Sequence, residues 1–316
     1  MPRQSDPHVM SPGRDCDSTG RAIRGIAAAV IILTGCSATP APSPTLPRPS
    51  AGAPLTAATA GRPTATPPHA TVIPPTAAAA CLQREGRLVS AEFIEPGLPR
   101  SIPYRIFLPP CFVEHPSWKF PVLYLFHGLA ATDSEWDDLG ADEAARRLIA
   151  SGRVPPFLIV MPWERRGLEW DDAIWNHLVP YVESVYHASS DPSQRAIGGL
   201  SRGAGWAFRI GFEHAGAFGS IGLHSPAILA PDEFLLPVWT RDVPPDALPR
   251  LWVDIGERDS LKRAALELTT ILDELHLPYT WHLYPGDHVA EYWASHVEEY
   301  LTWYAEGWRD PVGGGP

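Results

Sequence analysis

The amino-acid sequence predicts an α/β domain, a mostly parallel sheet covered by helices on both faces. Three observations carry this expectation. Val122–Phe126 and Phe157–Met161 are unbroken apolar runs of strand length, as strands buried on both faces require. Segments with apolar residues near helical spacing alternate with such runs along the chain. Ahead of them, Leu88–Phe93 and Tyr104–Leu108 read as an antiparallel pair, with Pro96, Gly97 and Pro99 marking the turn between them.

The elements follow in order. After the first buried strand, which ends at His127-Gly128, Asp142–Ala150 is predicted to be a helix. The second buried strand leads to a long helix over Asp172–Tyr186, where Ile174, Leu178, Val182 and Val185 fall near helical spacing. Arg195–Gly198 is a short strand and Arg202–His214 a helix directly after it. Gly219–Leu223 and Leu251–Ile255 are further strands. Lys262–Leu275 is a helix, Tyr279–Leu283 a strand, and Ala290–Trp308 a closing helix. No internal repeat interrupts this order. The stretch from His224 to Arg250 is too short for a large cap domain, which implies an open cleft.

Composition divides the chain before the fold does. Of 316 residues, 36 are proline, and eleven of these lie between Ser37 and Ala80 among Ala and Thr, with Arg48 and Arg62 the charges present. Such a stretch buries too little apolar surface to offset its chain entropy, so a disordered linker over 37–80 is expected. All the tryptophans and ordinary core residues lie beyond it, and the folded domain is expected over 81–308, with a flexible tail over 309–316. A net charge of −11, without a basic run, argues against a nucleic-acid partner.

The first residues read as an address. Arg21 and Arg24 precede an apolar run from Ile26 to Leu33, too short to span a membrane, and small residues follow. Leu33-Thr34-Gly35-Cys36 resembles the lipobox of bacterial lipoproteins. That resemblance implies a signal peptide over 1–36, a lipid on Cys36 and an exported protein held at the extracytoplasmic face of a bacterial membrane. An ordinary signal peptide with an incidental cysteine is the alternative. Cys81 and Cys111 then remain in the exported domain and suggest one disulfide, the alternative being two buried thiols.

The chemistry centres on Gly199-Leu200-Ser201-Arg202-Gly203, a G-x-S-x-G pattern between a predicted short strand and a helix. That setting is what a nucleophile elbow needs: a tight turn that projects the serine hydroxyl near a helix N-terminus, where the dipole favours developing negative charge. A serine nucleophile needs a base, and the base an orienting acid. Asp259 follows the strand Leu251–Ile255, and His288 follows Tyr279–Leu283 in a glycine-containing loop. Both lie beyond carboxyl ends of strands, where open α/β sheets place their active crevice. Glu257 and Asp254 are alternatives for the acid. His282, inside a strand, and His296, inside a helix, are less free to reach a nucleophile. For the oxyanion, the backbone N–H groups of Arg202 and of Leu129, in the loop after Val122–Phe126, are the expected donors, with His127 shaping that loop. Metal-binding spacings, dinucleotide loops and P-loops are absent from the sequence, so no metal and no cofactor are expected.

From about Leu88 to Ala305 the chain resembles the esterase family of α/β-hydrolases that contains feruloyl and acetyl-xylan esterases, enterochelin esterases, S-formylglutathione hydrolases and mycolyltransferases. The resemblance rests on Tyr104 to Pro109, His127-Gly128, the Ser201 elbow, Gly256 to Asp259, and Gly286-Asp287-His288 followed by Trp293. It implies an α/β-hydrolase fold with Ser201, Asp259 and His288 as a triad and Leu129 and Arg202 at the oxyanion hole. Arg202, where many members have Met, and Ala204, often Gly, depart from the pattern. The expected activity is hydrolysis of a carboxylic ester, small or saccharide-linked, through an acyl-enzyme on Ser201, without an obligate protein partner. An acyltransferase with the same triad and a non-catalytic binding protein on the same fold are the alternatives. Of five tryptophans near the predicted cleft (Trp136, Trp163, Trp170, Trp175 and Trp206), Trp163 and Trp175 are the expected substrate contacts.

Overall fold

The computed structural model describes residues 84–313, the side chains of 312 and 313 excepted. The segment expected to be a signal peptide, the Cys36 expected to carry a lipid, the expected Pro-rich linker and Cys81 all lie outside the described residues. Cys111 is disulfide-bonded.

An antiparallel pair opens the sheet, β1 (Arg87–Phe93) on β2 (Ile102–Leu108). The two-residue strand β3 (Trp118–Lys119) stands apart and pairs with β10 (Val312–Gly313) near the other end of the chain. Then come β4 (Val122–Phe126), the helices α1 (Glu135–Asp138) and α2 (Ala141–Ala150), and β5 (Leu158–Pro162). A helical segment follows, from α3 (Trp170–Asp172) to α4 (Val179–Val185). Next are β6 (Arg195–Leu200), α5 (Arg202–Glu213), β7 (Ser220–His224) and α6 (Asp232–Trp239). The chain closes through β8 (Arg250–Gly256), α7 (Lys262–Glu274), β9 (Thr280–Tyr284) and α8 (Ala290–Tyr304). The eight-stranded sheet has the order β1-β2-β5-β4-β6-β7-β8-β9, antiparallel in its first two pairings and parallel in the rest.

The pleat sorts the core into two layers. Along β4, Val122, Tyr124 and Phe126 pack on the face shared with Phe208 of α5 and Leu268 of α7, while Leu123 and Leu125 pack with Leu148 of α2 and Val297 of α8. Both faces are therefore apolar, which is why β4 and β5 read as unbroken hydrophobic runs. Helix α5 lies beneath the sheet's centre and is buried from Gly203 to Phe212 except at Arg209. Arg209 makes a bidentate ion pair with buried Asp232, at 2.8 Å for both contacts, and so holds the N-terminus of α6.

Two expectations change. The predicted continuous helix Asp172–Tyr186 contains a turn of π-helix at Ala173–Leu178 between α3 and α4. Pro180 explains the irregularity: it has no N–H to donate to the Asn176 carbonyl, so the α-helical ladder is interrupted there. The last helix stops at Tyr304 rather than Trp308, because Gly307 takes a left-handed φ of 87° beyond it. The short helices α1 and α6 were not expected. In α6, Pro237 sits inside the helix and breaks the usual sequence signal.

Candidate active site

Ser201 sits at the sharp turn from β6 into α5, with φ 53° and ψ −118°. That left-handed value is costly for a residue with a side chain and persists only where the surroundings impose it. They do so through close packing. A Cβ on Gly199 would stand 2.4 Å from the Gly203 carbonyl carbon, and one on Gly203 would stand 2.2 Å from the Phe126 carbonyl oxygen. Only glycine at both positions lets the helix start this close to β6 and to the end of β4. The Ser201 N–H donates to the His224 carbonyl (2.9 Å), and its own carbonyl accepts the N–H of Ala227 (3.0 Å). The half-buried serine is thereby tied to the segment that follows β7.

His288 comes from the loop between β9 and α8. Its Nε2 lies 2.9 Å from Ser201 Oγ and its Nδ1 2.8 Å from Asp259 Oδ2. Its ring meets Trp293 at nearly a right angle, centroids 4.9 Å apart. Asp259 is buried just past β8, and its other oxygen accepts the Leu261 N–H at 2.8 Å. Burial alone would raise this carboxyl. Hydrogen bonds from His288, the Leu261 amide and Ser225 outweigh it and hold Asp259 below its ordinary value. An acid that stays ionised and fixes the imidazole with its Nδ1 proton inward is what a serine–histidine pair needs to transfer a proton.

Of the alternative acids, Asp254 is fully buried within β8 and serves another purpose. Its Oδ1 accepts His224 Nδ1 (2.6 Å) and Trp252 Nε1 (2.8 Å), and its Oδ2 accepts the hydroxyls of Tyr292 (2.7 Å) and Tyr300 (2.8 Å). Burial would raise its pKa, but these donors, His224 foremost, keep it lowered. Glu257 is exposed and makes no contact with His288 among the described residues. His282 lies in β9 and stacks on Trp252, and His296 lies in α8 with Nδ1 on the Tyr292 carbonyl, so neither reaches Ser201.

Leu129 and Arg202 line one cleft of about 630 Å³ together with His127, Trp163, Glu164 and neighbouring residues. Among the described residues neither backbone N–H has a protein acceptor, so both remain available to an oxyanion. The loops that carry them are cross-tied. Because His127 Nε2 accepts the Glu164 N–H at 2.8 Å, its proton sits on Nδ1, which donates to the Gly128 carbonyl at 2.7 Å. The Gly128 N–H donates to Glu135 at 2.6 Å. The Glu164 carboxylate grips the Arg202 guanidinium through Nε (2.9 Å) and Nη2 (2.7 Å). Sequence reasoning missed Ser225, Glu135 and Glu164. Each lies in or near a loop just past a strand's carboxyl end, and that position was the signal available.

The tryptophans divide. Trp163 lines the cleft, with the Arg165 guanidinium 4.8 Å from its ring centroid. Trp175 does not, and the expectation that it contacts substrate is corrected. It stacks on His214 (4.5 Å) and packs on Phe218, beyond the far end of α5, about 18 Å from Ser201 at about 1.5 Å per helical residue. Its spacing within the helical segment suited core packing equally well, and the core claimed it. Trp136, Trp170 and Trp206 are buried.

A serine at a strained strand–helix elbow, on a parallel sheet opened by an antiparallel pair, defines the α/β-hydrolase class. Within it, the model of the family described as "Putative esterase" matches residues 96–304, and the chain belongs to that family. A ferulic acid esterase of known structure superposes with a TM-score of 0.64 at 25% identity, over 71% of this chain and 100% of that one. Among curated proteins, the endo-1,4-beta-xylanase/feruloyl esterase of Xylanibacter ruminicola is 26% identical over 155 residues, 45% of this chain. Esterase Rv1288 of Mycobacterium tuberculosis is 30% identical over 136 residues, 39% of this chain. The alignments span 20% and 29% of the lengths of those two relatives.

Proposed function

We propose that the protein is a serine carboxylesterase, exported and held at a bacterial membrane by a lipid on Cys36. The observation that carries the catalytic reading is the hydrogen-bonded chain from Ser201 Oγ through His288 to Asp259. His288 Nε2 takes the serine proton as Oγ attacks the ester carbonyl, and the N–H groups of Leu129 and Arg202 receive the oxyanion. Collapse expels the alcohol, which takes the proton from His288 and leaves an acyl group on Ser201. Water activated by His288 then releases the carboxylic acid. Asp259 holds the imidazole and stabilises its charged form throughout. None of these steps calls on a metal or cofactor.

Two relatives carry feruloyl or ferulic acid esterase in their names, so feruloyl esters are the first natural-type substrates to try. The basic test is hydrolysis of p-nitrophenyl acetate by the protein and by Ser201→Ala. The variant should keep its fold by circular dichroism and lose activity on the order of 10⁴-fold or more. Equal rates in both would remove Ser201 from the mechanism. For the anchor, Cys36→Ala should move the protein from the membrane fraction to the soluble one.

A further inference from the structure

The cleft beside the oxyanion donors has a charge at odds with the rest of the chain. The protein as a whole carries a net charge of −11, yet this cleft is lined by Arg100, Arg165, Arg166 and Arg202 against the single carboxylate of Glu164. Glu164 is committed to Arg202 by two hydrogen bonds, so the charge of that pair cancels. Arg100, Arg165 and Arg166 remain, and among the described residues none of them has a carboxylate within ion-pair distance. Guanidiniums with structural duties here look different: Arg105, Arg195, Arg209, Arg250 and Arg258 each sit on an acidic side chain. Converging three unpaired cations on one concavity costs self-repulsion, which a bound anion would relieve. Arg165 is further braced over the Trp163 ring.

We infer that this cleft binds an oxyanion carried by the substrate, so that the preferred esters bear a carboxylate or phosphate group a few bonds from the scissile carbonyl. The inference rests on the esterase reading and narrows it. Leu129 and Arg202 belong to the same lining, so a substrate whose carbonyl oxygen meets their amides has the three arginines within the same cleft. A planar guanidinium fork matches either anion in two-point contact. Neutral esters reach the same serine without that contact.

The test compares kcat/KM within matched pairs, using the full chain. Where the anion lies on the leaving group, 4-acetoxybenzoate and 4-acetoxyphenyl phosphate are set against methyl 4-acetoxybenzoate. Where it lies on the acyl group, mono(4-nitrophenyl) succinate is set against 4-nitrophenyl butyrate. The expected result is a preference of about tenfold or more for the anionic member of one pair at low salt, shrinking in 1 M NaCl, where the screening length falls to about 3 Å. In the double variant Arg165→Gln/Arg166→Gln the anionic-to-neutral ratio should fall about tenfold. The better of the benzoate and the phosphate identifies the anion. Equal or better turnover of both neutral esters, or a preference unchanged in the double variant, overturns the inference and leaves the esterase reading standing. Turnover of none of the five esters overturns both.

Discussion

Asp259 shows how much a single side chain's surroundings decide. Its carboxyl is buried yet held ionised by three donors, one of them the imidazole it orients. Asp259→Asn keeps the shape but lets the imidazole adopt the wrong tautomer, so kcat should fall about 10⁴-fold with little change in KM, as steady-state ester kinetics would register. The same group ties stability to pH. Its folded pKa lies below the ordinary 3.8, so its contribution is present above that value and is lost as pH falls through it toward the folded pKa. The stability gap between the wild type and Asp259→Asn, read from urea unfolding, should therefore be widest near neutrality and narrow below about pH 4. At this scale the sequence was informative wherever chain order and loop position constrained the chemistry. Ser201, Asp259 and His288 each follow a strand in the required order, and the structure brings them together. Trp175 had no such constraint, since an aromatic at helical spacing serves a core and a binding wall alike.

The elbow is a property of an element junction rather than of the serine. Gly203 lets α5 begin against the carbonyl oxygen of Phe126, the last residue of β4, beyond which the Leu129 loop starts. Gly203→Ala places a methyl group against backbone that has no flexible end to yield. It should cost about 1–3 kcal/mol in denaturant unfolding. Displacing one oxyanion donor from the other should also lower kcat about 10²-fold, a larger effect than the stability loss alone explains. Legibility at this scale followed periodicity. The strands buried on both faces and helices α2, α5 and α7 were readable to within a few residues, because their apolar patterns come from the two-layer core. The π-turn was not, because a pattern of apolar residues does not record where Pro180 interrupts the hydrogen-bond ladder. Nor was α6, held on the body by the Arg209–Asp232 ion pair, Leu236 and Trp239 while Phe234 and Val238 stay exposed.

Across the whole molecule, the Asp254 carboxylate joins Trp252 of its own strand to parts distant in sequence: His224 from β7, and Tyr292 and Tyr300 from α8. His224 Nε2 also meets the Tyr304 hydroxyl at 3.0 Å, and the His224 carbonyl holds the Ser201 N–H. Asp254→Ala would leave four buried donors without an acceptor and should destabilise the protein by about 3–5 kcal/mol in urea titration, well beyond Ser201→Ala. A chain made from its N-terminus reaches Ser201 87 residues before His288, and reaches Asp254 before the tyrosines that surround it. Until α8 arrives, the elbow has a nucleophile without a base, and the sheet holds a charge without its tyrosine donors. The order of synthesis thus supplies the nucleophile well before its base, and the Ser201–His288 contact can form only after the loop ahead of α8 has been made.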